Sequence, residues 1–254
     1  MKIDIKPIQQ CTTKQIAKQW DIVAKSRDNQ IRSGLDISYD KVLTPIILQL
    51  AQGKSFQRVL DVGCGSGVLS ERIARHTQTV VGVDPSHESI ALAKASNLRP
   101  INTEYVSESI ENFSKRYEEE LFDIAIANMV LQDASDLAAV LNSVGEVLRR
   151  GGALVCTITH PCFWPTYWGY GRYEWFEYGK EIAIDAPLRI SSVAEPVGRT
   201  THFHRPLSQY MSILRDTGFQ IDSLVEPFPS RAIQCLYPEP WTIPRFLALR
   251  AYRK

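Results

Sequence analysis

Apolar positions along the chain change their period twice, and those changes mark its parts. From Thr12 to about Ser26 the spacing is helical, and Thr12 with Gln15 has the separation of a capping box. Thr44-Pro45 reads as an N-cap followed by proline in the first turn of a second helix, leading "IILQLA". The polar stretch "RDNQIRSGLDISYD" between them is predicted to be a connection. From Arg58 the pattern alternates. "RVLDV", "TVVGVD", "TEYV", "FDIAIAN" and "ALVCTIT" are short buried strands. Helical spacing separates them: "VLSERIARH", then "ESIALAKA", then Ile110, Phe113 and Tyr117, then a run from Leu137 to Leu148 closed by Gly151-Gly152. Repeated β-then-α units with β-branched apolar strands predict a parallel sheet covered on both faces, and right-handed crossovers make it a doubly wound α/β fold.

After Thr159 the alternation stops. It resumes with the helix "LSQYMSILRDTG", then "FQIDSLVEP" and "RFLALRAYRK", read as strands joined by a proline-rich hairpin. The expected organisation is one domain: a helical N-terminal cap over 1–57, a ligand-binding core over 58–160, an inserted lid over 161–206, and completion of the core over 207–254. The insertion opens with "THPCFWPTYWGYGRYEWFEY", which holds nine aromatic residues of a chain with five Trp, ten Tyr and nine Phe. Glycines at 169, 171 and 179 leave such a lid room to move.

Composition narrows the class. A formal charge of +1 gives no electrostatic reason to expect binding to nucleic acid or to an anionic membrane. No run approaches about 18 apolar residues, and the N-terminus has no apolar core of signal-peptide length. Cys11, Cys64, Cys156, Cys162 and Cys235 are scattered without a CxxC, which suits free thiols in a reducing cytoplasm.

The candidate chemistry sits at strand ends. "VLDVGCGSG" places Gly63, Gly65 and Gly67 between a strand and its helix, where the backbone turns sharply and a ligand approaches without meeting a Cβ. Asp84 ends the next strand, where a carboxylate accepts both hydroxyl hydrogens of a ribose. A nucleotide-like ligand across these strand ends is expected. The dinucleotide pattern GxGxxG requires glycine at position 68, and this chain has Val68, which counts against an NAD-dependent reductase.

At these residues the chain resembles the class I S-adenosylmethionine-dependent methyltransferases of small-molecule type. "VLDVGCGSG" is similar to that family's first signature and "VVGVDPS" to its second. "FDIAIANMVLQDASD" and "VLRRGGALVCTITHP" resemble its fourth- and fifth-strand signatures. The resemblance implies a Rossmann-like, seven-stranded, mostly parallel sheet with an antiparallel last strand. It implies S-adenosyl-L-methionine as cofactor and S-adenosyl-L-homocysteine as product. It also implies that Asp61, Gly63, Cys64, Gly65 and Gly67 surround the methionine and ribose portions, that Asp84 holds the ribose hydroxyls, and that Pro85 and Ser86 flank the adenine. Many members bond the adenine amino group with an acid after the third strand, a place that falls here among Glu108, Ser109 and Ile110. Asn128 and Met129 lie beside the methionine portion on the same reading.

Methyl transfer is an in-line displacement, so the protein positions the acceptor, excludes water and, for some acceptors, removes a proton. His160 directly follows the fifth strand, and an ordinary pKa of ~6.5 suits proton abstraction, making it the candidate general base and a substrate contact. The alternative is a histidine that only turns the chain before Pro161. Tyr39 is a second catalytic candidate, or a cover over the ligand, against plain packing on the sheet; Asp36 and Arg32 share its region. Phe163, Trp164, Tyr167 and Trp168 form the expected wall for an apolar or aromatic acceptor. His204 and Arg205 precede the last helix, with Arg205 set either to fork a substrate carboxylate or to make a structural salt bridge. His160, Cys162, His202 and His204 match no zinc spacing, and no metal is expected.

The segment "ANMVLQ" lacks the Asn/Asp-Pro-Pro-aromatic run by which nucleobase amino-methylases resemble one another, so a nucleic-acid substrate is not expected. The leading expectation is a small-molecule methyltransferase, monomer or homodimer. A peptide or protein methyltransferase and a non-catalytic cofactor-binding regulatory subunit are the alternatives. Oxygen, nitrogen and carbon acceptors all stay open.

Overall fold

Thr12 opens the first long helix with the device its sequence carries. Its hydroxyl accepts from the Gln15 amide, and the Gln15 side chain accepts from the Thr12 amide. The structure, a computed structural model, describes residues 4–52, 56–193 and 195–254. Strand β1 (Lys6–Ile8) precedes this helix, and α1 spans Thr13–Arg32. The helix therefore runs on into the stretch expected to be a polar connection. Its charged residues are anchors: Arg27 pairs with Asp36 at 2.7 Å, and Arg32 with Glu71 at 2.8 Å. A polar helix face tied down by ion pairs has the same hydropathy as a solvated loop. Thr44 is not a cap either. A π-helical turn, Tyr39–Leu43, runs without a break into α2 (Thr44–Leu50), where Thr44 already has helical dihedral angles.

The core then follows the predicted alternation: β2 (Arg58–Val62), α3 (Val68–Ile73), β3 (Thr79–Asp84), α4 (His87–Ala95), β4 (Thr103–Ser107), α5 (Ile110–Arg116), β5 (Phe122–Asn128), α6 (Leu137–Val147) and β6 (Leu148–Thr159). Gly151-Gly152 lies inside β6, where the register against β5 shifts, rather than closing α6. A short α7 (Trp164–Trp168) leads to β7 (Ile182–Pro187), β8 (Arg199–His204), α8 (Leu207–Asp216), β9 (Phe219–Val225), the one-turn α9 (Arg231–Gln234) and β10 (Phe246–Arg253).

The main sheet has seven strands in the order β4-β3-β2-β5-β6-β10-β9, and β10 runs antiparallel to both its neighbours. Alternate residues face opposite sides. Leu60 and Val62 join Val81, Ala125, Leu141 and Leu154 in one core, while Val59 joins Val80, Ile124, Ile47 and Leu69 in the other. Both faces are dry, so the strands read as unbroken apolar runs. Chain order reverses between β2 and β5, which opens a crevice at their carboxyl ends.

The insertion contains a sheet that no sequence pattern announced. Strands β1, β7 and β8 pair antiparallel, joining the N-terminal segment to the insertion. Beneath this sheet Ile5, Tyr170, Ile184 and Ala186 are buried, with Trp164, Trp168, Tyr173, Trp175 and Phe176 packed round them. Much of the aromatic excess is thus a satellite core. All five cysteines are free. Among the described residues, no helix is long and apolar enough to cross a membrane, and no His, Cys, Asp or Glu cluster is placed to hold a metal.

Candidate functional site

Two glycines in the loop after β2 have different duties. Gly67 has φ +78°, and a Cβ there would lie 2.4 Å from the Tyr105 hydroxyl, so this glycine serves packing. Gly65 has φ +54° with nothing within 4 Å of where its Cβ would stand, and it lines an open cavity of about 200 Å³. Its N–H donates to Asp84 Oδ2 at 2.8 Å, while the Ser86 N–H donates to Oδ1 at 2.8 Å. Those amides fix the carboxylate at the end of β3, yet burial outweighs them and pushes Asp84 up to about 6. Asp61 accepts from Ser70 Oγ at 2.5 Å and is pushed up to about 7, by burial first and the Asp84 charge second. Burial holds the Cys64 thiol well above its ordinary range, which makes it a small wall residue and not a nucleophile.

The end of β5 is strained. Met129 has φ +59°, uncommon outside glycine. Its N–H donates to Thr157 O at 3.0 Å and to Thr157 Oγ1 at 3.1 Å, and its carbonyl accepts from Gln132 Nε2 at 2.6 Å. Thr157 Oγ1 in turn donates to Asn128 Oδ1 at 2.7 Å. The turn that follows delivers Asp133. Burial pushes this carboxyl up to about 8, against the Gln132 and Trp20 side chains and the Arg205 charge, which favour ionisation.

Asp133 faces the first cavity and also a second, larger one of about 590 Å³. Trp20, Arg27 and Met129 also line both, so α1 and the β5 turn form a shared wall. The second cavity is closed in by Trp164, Tyr167 and Trp168, by the loop from Pro187 to Val193, and by Arg245 and Phe246. Gln132 Oε1 and His202 Nε2 are buried there without a hydrogen-bond partner among the described residues, and burial holds the His202 imidazole neutral, down to about 4. Three desolvated carboxyls round the first cavity, buried Asp61 and the half-buried Asp84 and Asp133, favour a ligand rich in hydrogen-bond donors and positive charge.

The other expected residues divide. Pro85, Ser109, Ile110 and Asn128 line the first cavity together with Asp61, Gly63, Cys64, Gly65 and Met129. Tyr39 lines it too, and burial keeps its phenol protonated far above the ordinary range, so it covers the cavity and is no base. Asp36 lines the second cavity, paired to Arg27, and Arg32 lines neither. Gly67, Ser86 and Glu108 stand outside the first cavity. Ser86 caps α4 and donates to Asp21 at 2.7 Å, and Glu108 pairs with Arg116 at 2.5 Å.

His160 reaches neither cavity. The Cys162 N–H donates to its Nδ1 at 3.2 Å, so Nε2 carries the proton and donates to Glu226 Oε1 at 2.7 Å. The ring braces the end of β6 against the segment after β9. Phe163 packs on it at 4.7 Å instead of facing a ligand. His204 Nε2 donates to the Tyr178 carbonyl at 2.9 Å. Arg205 makes the structural salt bridge, to Glu181 at 2.9 Å, and donates to the carbonyls of Leu131 and Ala134. Trp20, Arg27, Asp133 and Arg245 were not anticipated. One signal for Asp133 was available: Asp136 caps α6, which left the acid one turn earlier without a structural task.

A doubly wound α/β domain with a ligand crevice at its switch point is the class that this fold and site define. Residues 54–177 match the family described as "Methyltransferase domain". A ubiquinone biosynthesis O-methyltransferase of Yersinia pestis (strain Pestoides F) is 28% identical over 137 residues, 54% of this chain and 53% of that protein. The chain thus spans about half the length of the curated relatives it matches. A putative S-adenosylmethionine-dependent methyltransferase from Listeria monocytogenes superposes with a TM-score of 0.62 at 22% identity, covering 83% of this chain and 97% of the other. The N-methyltransferase NodS from Bradyrhizobium japonicum WM9, in complex with S-adenosyl-l-homocysteine, superposes at 0.54 with 16% identity, covering 83% and 85%. Over residues 54–177 the chain is similar to methyltransferase domains, and it shares the fold of S-adenosylmethionine-dependent methyltransferases.

Proposed function

We propose that the protein is an S-adenosylmethionine-dependent methyltransferase whose acceptor is a small molecule held in the second cavity. The shared wall carries this reading: two cavities, one beside the glycine loop and one under the insertion, meet at Trp20, Arg27, Met129 and Asp133. The residues suit the cofactor. Asp84 is fixed by two amides and still raised by burial, so a ribose diol supplies donors it lacks. The open side of Gly65 leaves room for the ligand, and the three acids favour its positive charge. When bound, the cofactor supplies an electrophilic methyl group on a sulfonium.

The remaining work falls to this chain. Trp20 and Tyr39 cover the reaction space and exclude water. Met129, held in its strained turn by Thr157 and Gln132, fixes the wall along which acceptor and donor meet. Ionised Asp133 takes the acceptor's proton as the acceptor gains its methyl group; a carboxyl raised to about 8 is a far stronger base than an ordinary one. A cavity of about 590 Å³, closed by α7 and the 187–193 loop, suits a compact molecule better than an extended peptide. The five free thiols support a reducing, cytoplasmic setting.

Calorimetry with S-adenosylmethionine and S-adenosylhomocysteine tests the cofactor site. Asp84→Ala is expected to weaken binding about 10- to 100-fold, the loss of charge-assisted hydrogen bonds. Unchanged affinity would end the assignment. Homocysteine-nucleoside release against a panel of small hydroxyl and amino acceptors tests turnover, and binding without turnover on any acceptor would favour the regulatory alternative.

A further inference from the structure

We propose that Arg245 is the anion-holding residue of the second cavity and that the acceptor is a flat, apolar acid whose carboxylate it binds, resting on the reading of that cavity as the acceptor site. Its backbone is well fixed. The His160 N–H donates to the Arg245 carbonyl at 2.9 Å, and the next residue, Phe246, pairs with Thr159 where β10 begins. The residue is 6% exposed and lines the second cavity but not the first.

What surrounds the guanidinium is aromatic. Its central carbon lies 4.1 Å from the Tyr167 ring centre, 4.5 Å from that of Trp241 and 5.4 Å from that of Tyr237. Its hydrogen bonds are to neutral hydroxyls: Nη1 donates to Tyr167 at 3.0 Å and to Ser191 at 3.2 Å. Other sheltered arginines have acids, as Arg27 has Asp36 at 2.7 Å and Arg205 has Glu181 at 2.9 Å. Among the described residues Arg245 has no such ion pair. The acid acting on it is Glu239, an exposed residue of the cavity wall beyond ion-pair distance. Burial accordingly pulls this guanidinium below its ordinary range.

A cation buried among rings is held by their faces but still lacks a counter-ion. With Nη1 engaged, Nε and Nη2 make no hydrogen bond among the described residues, and that edge matches the two oxygens of a carboxylate. Arg27, paired to Asp36, and Arg189 also line this cavity, and the one edge that Arg245 offers suits the two oxygens of a single carboxylate. Trp164, Trp168, Leu188 and Ile190 supply apolar wall for the rest of the molecule. An acid held by Arg245 leaves the acceptor atom to the Asp133 wall, the side shared with the first cavity.

The test is calorimetric titration of the full chain, saturated with S-adenosylhomocysteine, using 2-naphthoate and its uncharged isostere 2-naphthamide. The acid is expected to bind at least tenfold tighter than the amide. Arg245→Gln is expected to erase that preference and leave S-adenosylhomocysteine affinity within twofold. Arg245→Lys keeps a cation in the cage without the fork, is expected to retain only part of the preference, and serves if melting shows the glutamine variant unfolded. Equal affinity for the two probes, no binding of either at millimolar concentration, or a preference undiminished in the variants would overturn the proposal. Tighter binding of 2-naphthyl phosphate would overturn the choice of a carboxylate. Acid preference without S-adenosylhomocysteine binding would sink the methyltransferase reading and leave the anion site standing; the opposite pattern would sink the anion site alone.

Discussion

Replacing Asp133 with asparagine is expected to stabilise the ligand-free protein and nearly abolish turnover, with a stability gain that depends on pH. The Asp133 carboxyl is displaced from an ordinary 3.8 up to about 8. Between those values the folded chain keeps a proton that the unfolded chain releases. Stability is therefore fully present below about pH 4 and is lost as pH rises, at about 1.4 kcal/mol per pH unit. Near pH 7 the buried acid costs roughly 4 kcal/mol relative to an unshifted one. Asparagine preserves the shape but leaves an amide to house, so about 2–3 kcal/mol should be recovered. For a chain of this length that is about 5–10 °C in Tm. Asp61 and Asp84, raised to about 7 and about 6, slope in the same direction but are present in both proteins. Scanning calorimetry of both proteins from pH 4 to pH 8 reads the difference, which should fall as the pH falls and change sign at the acid end, where the uncompensated amide leaves the asparagine protein about 1–2 kcal/mol the less stable. Turnover should fall about 10²- to 10⁴-fold with the loss of a general base. A Tm difference independent of pH would refute the buried-acid reasoning, and near-normal turnover would refute the proton-transfer role.

Three further expectations concern the glycine loop, the end of β6 and the acids of the first cavity. Gly67→Ala should destabilise by about 2–4 kcal/mol as its Cβ meets the Tyr105 hydroxyl, whereas Gly65→Ala should cost only about 1–2 kcal/mol yet weaken S-adenosylmethionine binding tenfold or more. Melting and calorimetry on the pair separate the two roles, and full affinity in Gly65→Ala would mean the ligand stays clear of the loop. His160→Gln should lower stability by about 1–3 kcal/mol through the lost Glu226 contact while kcat stays within about threefold; a hundredfold fall in kcat in a folded variant would restore His160 as a base. S-adenosylmethionine affinity should rise between pH 5.5 and 8 as Asp84 and Asp61 ionise, and more steeply than that of S-adenosylhomocysteine, which lacks the sulfonium charge. Affinity that falls across this range would contradict the charge argument.

Features decided within a few residues were legible before the fold was seen, and features decided by distant partners were not. The central strands could be read because burial on both faces leaves continuous apolar runs, and the α1 start because its capping box is local. β1 could not: three residues become a strand only by pairing with β7, Lys6 opposite Asp185. The same distinction explains the base. Nearness of His160 to a strand end says nothing of its direction, and its N–H is taken by the Arg245 carbonyl, which aims the ring at Glu226. Asp133 reaches the site only because Thr157 and Gln132 hold Met129 in a positive-φ turn. The aromatic run from Thr159 to Tyr178 divides on the same grounds. Tyr170, Trp175 and Phe176 pack against one another and against Ile5 and Ile184, a platform for the β1-β7-β8 sheet. On that platform Trp164 and Trp168 stack at 5.4 Å, and Tyr167 sets its ring and its hydroxyl against Arg245. Trp241 and Tyr237, which complete the rings round that guanidinium, come from the stretch before β10 and not from the aromatic run. The run therefore divides between a core that carries the small sheet and a wall of the second cavity, and one of its rings, Tyr167, meets the buried cation.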